Sequence, residues 1–313
     1  MVRKLIVGIG ALVLCTSGVW AEDTIQAHYI GTTLSNPYRH DGGLSPVIGV
    51  HNIQTMHADR TLEAPNELGD TIGWTYNHQP MLTHWNGRLW LHYLSDPRSE
   101  HVYPSRTMMQ SSTDGQHWTR PEILFPVYAT QGREDETSAV MHQRVGWHIS
   151  SKATGNRLLA LGHYGICRTP KDDPNDGNGI GRVVREVYKD GSLGPVYFLY
   201  FNHDYNEKNT RFPLYTRSKD KQFRKACEEI LQDPLYWMQM VEECDRGDSR
   251  LPLSNVYKAF CCYPLNDGSL VAFWKHALTS RSFDQGRTWT TPVQRAKGFV
   301  NSNAKIWGQR LAD

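Results

Sequence analysis

The chain has almost no excess of charge: 34 Lys and Arg stand against 32 Asp and Glu across 313 residues. It carries no basic run and no basic amphipathic helix, which argues against nucleic acid or an anionic membrane surface as partner. Cysteine is scarce, six in all, and none falls at the spacing of a zinc site. There is no Gly-rich phosphate loop, no Gly-x-Ser-x-Gly elbow and no His-Glu-x-x-His helix. P-loop nucleotide hydrolysis, serine-hydrolase chemistry and zincin chemistry therefore drop out, and neither a metal nor a cofactor is expected.

Long apolar runs are also missing after the first residues. Arg3 and Lys4, the apolar stretch Leu5 to Leu14 and the small-residue site Val19-Trp20-Ala21 read as a signal peptide over residues 1-21. The stretch is too short to span a bilayer as a mature helix. A secreted or periplasmic protein is expected, with no membrane association once the signal is cleaved. Cys167, Cys227, Cys244, Cys261 and Cys262 then remain, an odd number. Cys227 and Cys244 could pair, while Cys261 and Cys262 project to opposite faces of a strand; no disulfide is assigned.

What the chain does contain is repetition. Ser282-Phe283-Asp284-Gln285-Gly286-Arg287-Thr288-Trp289 reads S-x-D-x-G-x-T-W, and Ser112-Thr113-Asp114-Gly115-Gln116-His117-Trp118 is a looser copy. Each is followed by Thr and then Pro. The Asp and Gly suit a turn and the Trp covers it, so Asp114, Trp118, Asp284, Gly286 and Trp289 are structural candidates. The pattern resembles the Asp box of sialidase-like β-propellers. Alternating apolar residues and Asn-Gly or Asp-Gly turns mark four-strand units over 79–125, 141–200 and 256–294. The expectation is an all-β fold, a β-propeller filling residues 22-313, with a small helical insertion at 220-246. The insertion is rich in Lys, Glu, Gln, Leu and Met and is split at Pro234. The strand ending at Asp313 has no turn or partner after it, so the propeller is expected to be incomplete at its C-terminus.

The fourteen His include several in polar settings: His51 with Asn52 and Gln54, His78 with Asn77 and Gln79, His142 with Gln143 and Arg144, and His163 with Tyr164. A titratable base beside amides that can bind sugar hydroxyls suits proton transfer near neutral pH. A hairpin could bring His142 and His163 together, with Arg144, Arg168, Arg182 and Arg185 nearby to neutralise a uronate carboxylate. Tyr164 is then an available acid. The same Arg residues could instead pair with the acids near Glu134.

The strings Val50-His51-Asn52-Ile53-Gln54-Thr55, Trp74 to Leu82, Met141-His142-Gln143-Arg144 and Lys305 to Arg310 resemble the seven-bladed propellers of glycoside hydrolase family 145, themselves similar to the ulvan lyases of polysaccharide lyase family 25. That resemblance implies an exo-acting α-L-rhamnosidase that removes rhamnose α-1,4-linked to glucuronic acid, using a histidine and the sugar's own 2-hydroxyl. His51 fits that histidine, with His78 as rival. The lyases imply instead a pair matched by His142 and His163, with Tyr205 and Arg211 or Arg217 as partners. A non-catalytic glycan-binding propeller is the third reading. In each case the partner is an oligosaccharide or polysaccharide containing rhamnose and glucuronic acid, and the protein is a monomer.

Overall fold

The computed structural model describes residues 38–39, 43, 48–49, 51–56, 75–96, 100, 105–129, 138–141, 146–167, 173–241, 245–248, 250–251, 258–290, 294–295 and 305–308. Their strands form three antiparallel sheets, the blades of a β-propeller, with one helical excursion.

The first blade has strands β1 (Tyr76–Trp85), β2 (Arg88–Asp96), β3 (Arg106–Ser112) and β4 (Glu122–Phe125), in that spatial order. Asn86 and Gly87 close the first hairpin, both in the left-handed region at φ 52° and 71°. That pair of conformations matches the right-handed twist of the flanking strands, which is why Asn-Gly occupies it. β1 starts at Tyr76 rather than at Gln79, where the alternation alone begins. The ladder slips between His78 and Met81, and Gln79 takes φ 55°. This bulge absorbs Pro80, which has no N–H to give a ladder, and lets pairing continue beyond it.

The second blade is the largest. β5 (Tyr128–Ala129), β6 (Ser138–Met141), β7 (Trp147–Ile149), β8 (Leu158–Ile166), β9 (Gly179–Val187) and β10 (Leu193–Phe201) form one sheet ordered β10-β9-β8-β6-β5, with β7 also on β8. The sequence pattern suggests one strand from Met141 to Ser150. Two short ones are found instead, β6 on the Tyr164 end of β8 and β7 on its Leu158 end. Along β10 a further segment is added: Phe198 N donates to Pro213 O at 2.8 Å, and Phe198 bridges Leu214 in parallel.

Helices α1 (Lys221–Gln232) and α2 (Pro234–Gln239) follow. Asp220 caps α1 by accepting from the N–H groups of Gln222 and Phe223 at 2.8 and 3.1 Å. Asp233 caps α2 through Tyr236 N, and Pro234 sits where its missing N–H costs nothing. The buried residues of α1, Phe223, Ala226, Cys227 and Ile230, recur at helical spacing and form one apolar stripe. Glu229 anchors the same helix to the blade, accepting from Ser151 Oγ (2.6 Å), Ser151 N (3.0 Å) and Thr154 Oγ1 (2.9 Å), with His148 Nε2 at 3.5 Å. Cys227 is a free, fully buried thiol, so it forms no disulfide; Cys244 lies outside the described residues. None of the described helices is long and apolar enough to cross a membrane.

The third blade runs β11 (Cys261–Pro264), β12 (Leu270–Trp274), β13 (Leu278–Ser282) and β14 (Gln294–Arg295). Cys261 is buried and Cys262 half-buried, as neighbours on opposite faces of a strand should be. Thr288 to Thr290, where the sequence pattern starts the last strand, lie outside the ladder, and Thr290 satisfies β13 from there. Its N–H donates to Arg281 O at 2.8 Å and its hydroxyl accepts from Arg281 N at 3.0 Å. Thr119 does the same for Ser111 in the first blade.

Both Asp boxes close the third hairpin of their blade. Asp114 Oδ1 accepts from Gln116 N and His117 N, each at 2.8 Å; Asp284 Oδ1 accepts from Thr288 N at 2.8 Å. Ser112 and Ser282 donate to these carboxylates and accept from Gly115 N and Gly286 N. Trp289 packs on Phe260 and Trp274, while Trp118 Nε1 donates to Gly115 O.

Two cores result. Trp90, Leu94 and Phe125 of the first blade pack on Leu158, Val183 and Phe198 of the second. On the opposite face of the second blade, Leu159, Leu161, Val184 and Leu199 pack on the stripe of α1 and on Trp237 of α2.

Candidate functional site

The alternation of β8 sends Leu158, Ala160, Tyr164 and Ile166 toward the first blade and Leu159, Leu161 and His163 toward the helices. His163 lies opposite Arg182 on β9, and Arg182 lies opposite Tyr200 on β10. Directly opposed residues share a face. A row of imidazole, guanidinium and phenol therefore crosses three strands beside the apolar helix contact, with His163 and Arg182 almost wholly buried.

Asp248, Arg250 and Leu251 meet this row. Tyr200 Oη donates to Asp248 Oδ2 at 3.1 Å, and Arg182 Nε lies 3.7 Å from the same oxygen. Asp248 Oδ1 also accepts from Arg250 N and Leu251 N, which fixes the turn that carries it. Trp237 Nε1 donates to Tyr200 Oη at 3.4 Å, and the Arg250 guanidinium stands 5.3 Å over the Tyr200 ring. Burial pushes the Tyr200 hydroxyl well above its ordinary range, with Arg182 opposing. It stays protonated and donates.

At the strand end beside that row, Asp245 is closed off from solvent and accepts from Gly177 N and Gly179 N, each at 3.0 Å, and from Asn202 Nδ2 at 3.3 Å. His203 Nε2 lies 2.7 Å from Asp245 Oδ2, and its side chain is 31% exposed. Burial raises the Asp245 carboxyl, with those hydrogen bonds and His203 opposing. His203 itself has φ 52°, a left-handed conformation uncommon for a residue with a side chain.

The residues singled out from sequence are dispersed. His51, Asn52 and Gln54 are exposed on an extended stretch tied to the first blade by Gln110 Nε2, which donates to Thr55 O at 2.8 Å. Asn77 accepts from Ser95 Oγ at 2.9 Å, His78 stands 5.4 Å from the Tyr76 ring, and Gln79 is buried at the β1 bulge. Tyr164 is fully buried and donates its hydroxyl to Pro126 O at 2.5 Å; burial raises it well above the usual phenol range. Tyr205 shares that core, and Arg211 lies over Phe212, whose ring packs on Tyr164. Arg217 pairs with Glu207 at 2.9 Å. His142, Gln143, Arg144 and Arg168 lie outside the described residues. The structure thus joins His163 to Arg182 across β8 and β9 and Tyr164 to Tyr205 in one core.

Tyr200, His203, Asp245 and Asp248 were not anticipated. Their only local signal is Asn202-His203 just after a strand and Asp245-Arg246-Gly247-Asp248 just after a helix. Among the described residues no group of three or more His, Cys, Asp or Glu could hold a metal ion.

Among solved structures, one titled "Sialidase" is 57% identical to this chain and superposes with a TM-score of 0.80 over 92% of it. This chain spans only 27% of the length of that structure. A protein of unknown function from Dyadobacter fermentans (16% identity, covering 68% of this chain and 67% of its own, TM-score 0.36) and a Trypanosoma rangeli sialidase in complex with 2,3-difluorosialic acid (12% identity, covering 74% and 41%, TM-score 0.42) are far more distant. No curated protein matches the chain. The family model described as BT_1020-like, N-terminal beta propeller matches residues 25–257. The chain belongs to this family of N-terminal beta propellers.

Proposed function

We propose that the propeller belongs to a glycoside hydrolase acting on glycans that carry an acidic sugar. The observation that carries this reading is the 57% identity, across 92% of the chain, to a structure titled "Sialidase". The geometry is compatible with such a substrate. A carboxylate-bearing sugar needs guanidinium groups and a proton-transferring side chain, and the exposed Arg246 and Arg250 stand near His203 at one end of the second blade.

The finer proposal is hydrolysis of rhamnose α-1,4-linked to glucuronic acid by a secreted or periplasmic enzyme, with His51, exposed beside Asn52 and Gln54, as the histidine. Rhamnosylated arabinogalactan, sialyllactose and ulvan separate the readings. Rhamnose released from arabinogalactan supports the finer proposal, and sialic acid released from sialyllactose supports the hydrolase and replaces the sugar. An unsaturated product absorbing in the ultraviolet from ulvan makes the protein a lyase. Binding with no product from any of the three makes it a glycan-binding propeller. His51→Ala should abolish rhamnose release; unchanged release sinks that residue assignment.

A further inference from the structure

His203 has one ring nitrogen committed and one edge open. Its Nε2–H donates to Asp245, since a carboxylate can only accept, and in the neutral ring this leaves the lone pair on Nδ1. That edge faces Gly247. A Cβ there would stand 3.1 Å from His203 Cε1 and 3.6 Å from Nδ1, so the absence of a side chain keeps the edge accessible. Asp245 is oriented before the histidine is considered, because Gly177 N and Gly179 N hold Oδ1 and Asn202 holds Oδ2. The loop thus already has its pin without a titratable ring. The left-handed backbone of His203 is a further cost, and such costs cluster where a side chain must be aimed.

We propose that His203 and Asp245 form a proton-transfer dyad for glycoside hydrolysis, His203 reacting through Nδ1 and Asp245 acting as the positioning residue. The assignment rests on the hydrolase reading above. Arg246, next in the chain to Asp245, is largely exposed and holds the half-exposed Asp176 at 2.6 Å, which is the chemistry of a sugar carboxylate. In the step, Nδ1 takes a proton from water as the water oxygen bonds to the anomeric carbon. The bond from that carbon to the leaving oxygen breaks with its electron pair going to the oxygen, which takes a proton from solvent. The imidazolium then returns its proton to solvent.

The test uses the 313-residue chain on rhamnosylated arabinogalactan and sialyllactose. His203→Gly suits the left-handed backbone and leaves room for added imidazole. It should lower kcat by about 10²–10⁴ with KM nearly unchanged, and imidazole should restore part of the rate. Asp245→Asn should also lower kcat and should move the ring proton between nitrogens, seen in the ¹⁵N shifts of His203. An active wild-type chain whose His203→Gly variant is unimpaired, or impaired and not rescued, overturns the dyad alone. A wild-type chain inactive on both glycans overturns the hydrolase reading and the dyad with it.

Discussion

The two faces of the second blade are built from the same strands and hold their neighbours by different means. Toward the first blade, Leu158, Val183 and Phe198 meet Trp90, Leu94 and Phe125 in a mainly apolar layer, crossed by hydrogen bonds from Arg185 to Leu124 O and from Trp147 to Met81 O. Toward the helices, the apolar strip is flanked by Arg182, Tyr200 and Asp248 at one end and by Ser151, Thr154 and Glu229 at the other. Apolar contact is tolerant of small shifts in position, whereas hydrogen bonds and ion pairs fix them. The first face therefore supplies more of the bulk stability and the second more of the register. The candidate site sits on the face where register is specified.

Removing bulk from the first face should have the largest effect. Phe198→Ala should cost about 3–5 kcal/mol through lost burial and the cavity left behind, read as a lower midpoint in chemical denaturation. On the other face, Asp248→Asn leaves Arg182 buried beside a neutral amide and should cost about 3 kcal/mol. A loss below about 1 kcal/mol there would erase the distinction between the faces.

One buried polar member of the first interface gives that face a pH dependence. His92 is fully buried, donates from Nε2 to Gly146 O at 3.2 Å and packs 4.6 Å from the Trp147 ring. Burial lowers it to about 3, with the Gly146 bond opposing. Because the folded value lies below the ordinary 6.5, the unfolded chain binds the extra proton first, and stability falls as pH drops through 6.5 toward 3. Between pH 7.5 and 5 the loss should be about 2 kcal/mol. Denaturation midpoints of His92→Phe should be flatter over that window than those of the parent chain.

The smallest effect is expected at the edge of the helical face. Asp220→Ala removes the α1 cap and the partner of Arg157 Nη2 at 2.7 Å. A cost of about 1 kcal/mol is expected, seen as earlier hydrogen exchange in the first turn of α1 with little change in the global midpoint.

Local chemistry made much of the fold legible in the sequence. Asn86-Gly87, the two Asp boxes and the break at Pro234 each encode their geometry in adjacent residues, so turns, boxes and helices could be read without tertiary knowledge. The start of β1 was hidden because a bulge, not an alternation, carries the strand past Pro80. The candidate site was less legible still. His163 could be named as a histidine near arginines, but the row it belongs to is closed by Asp248, which meets Tyr200 across 48 positions of chain. The His203 and Asp245 pair is separated by 42. No spacing rule reaches that far, because the partners are chosen by how the segment after α2 folds back.

The way each sheet ends also bears on how these molecules behave at high concentration. An open strand edge is a template on which another chain can add itself. β4 is only four residues long, and Thr119 stands beside it as a hydroxyl stopper. β10 is nine residues long but carries the Pro213–Leu214 segment along it. β1, the longest at ten, is interrupted by its bulge and by Trp147, whose indole N–H donates to Met81 O at 3.0 Å. Along β1, β4 and β10 these devices deny an incoming strand a straight run of free backbone, and they disfavour joining of neighbouring copies at those edges.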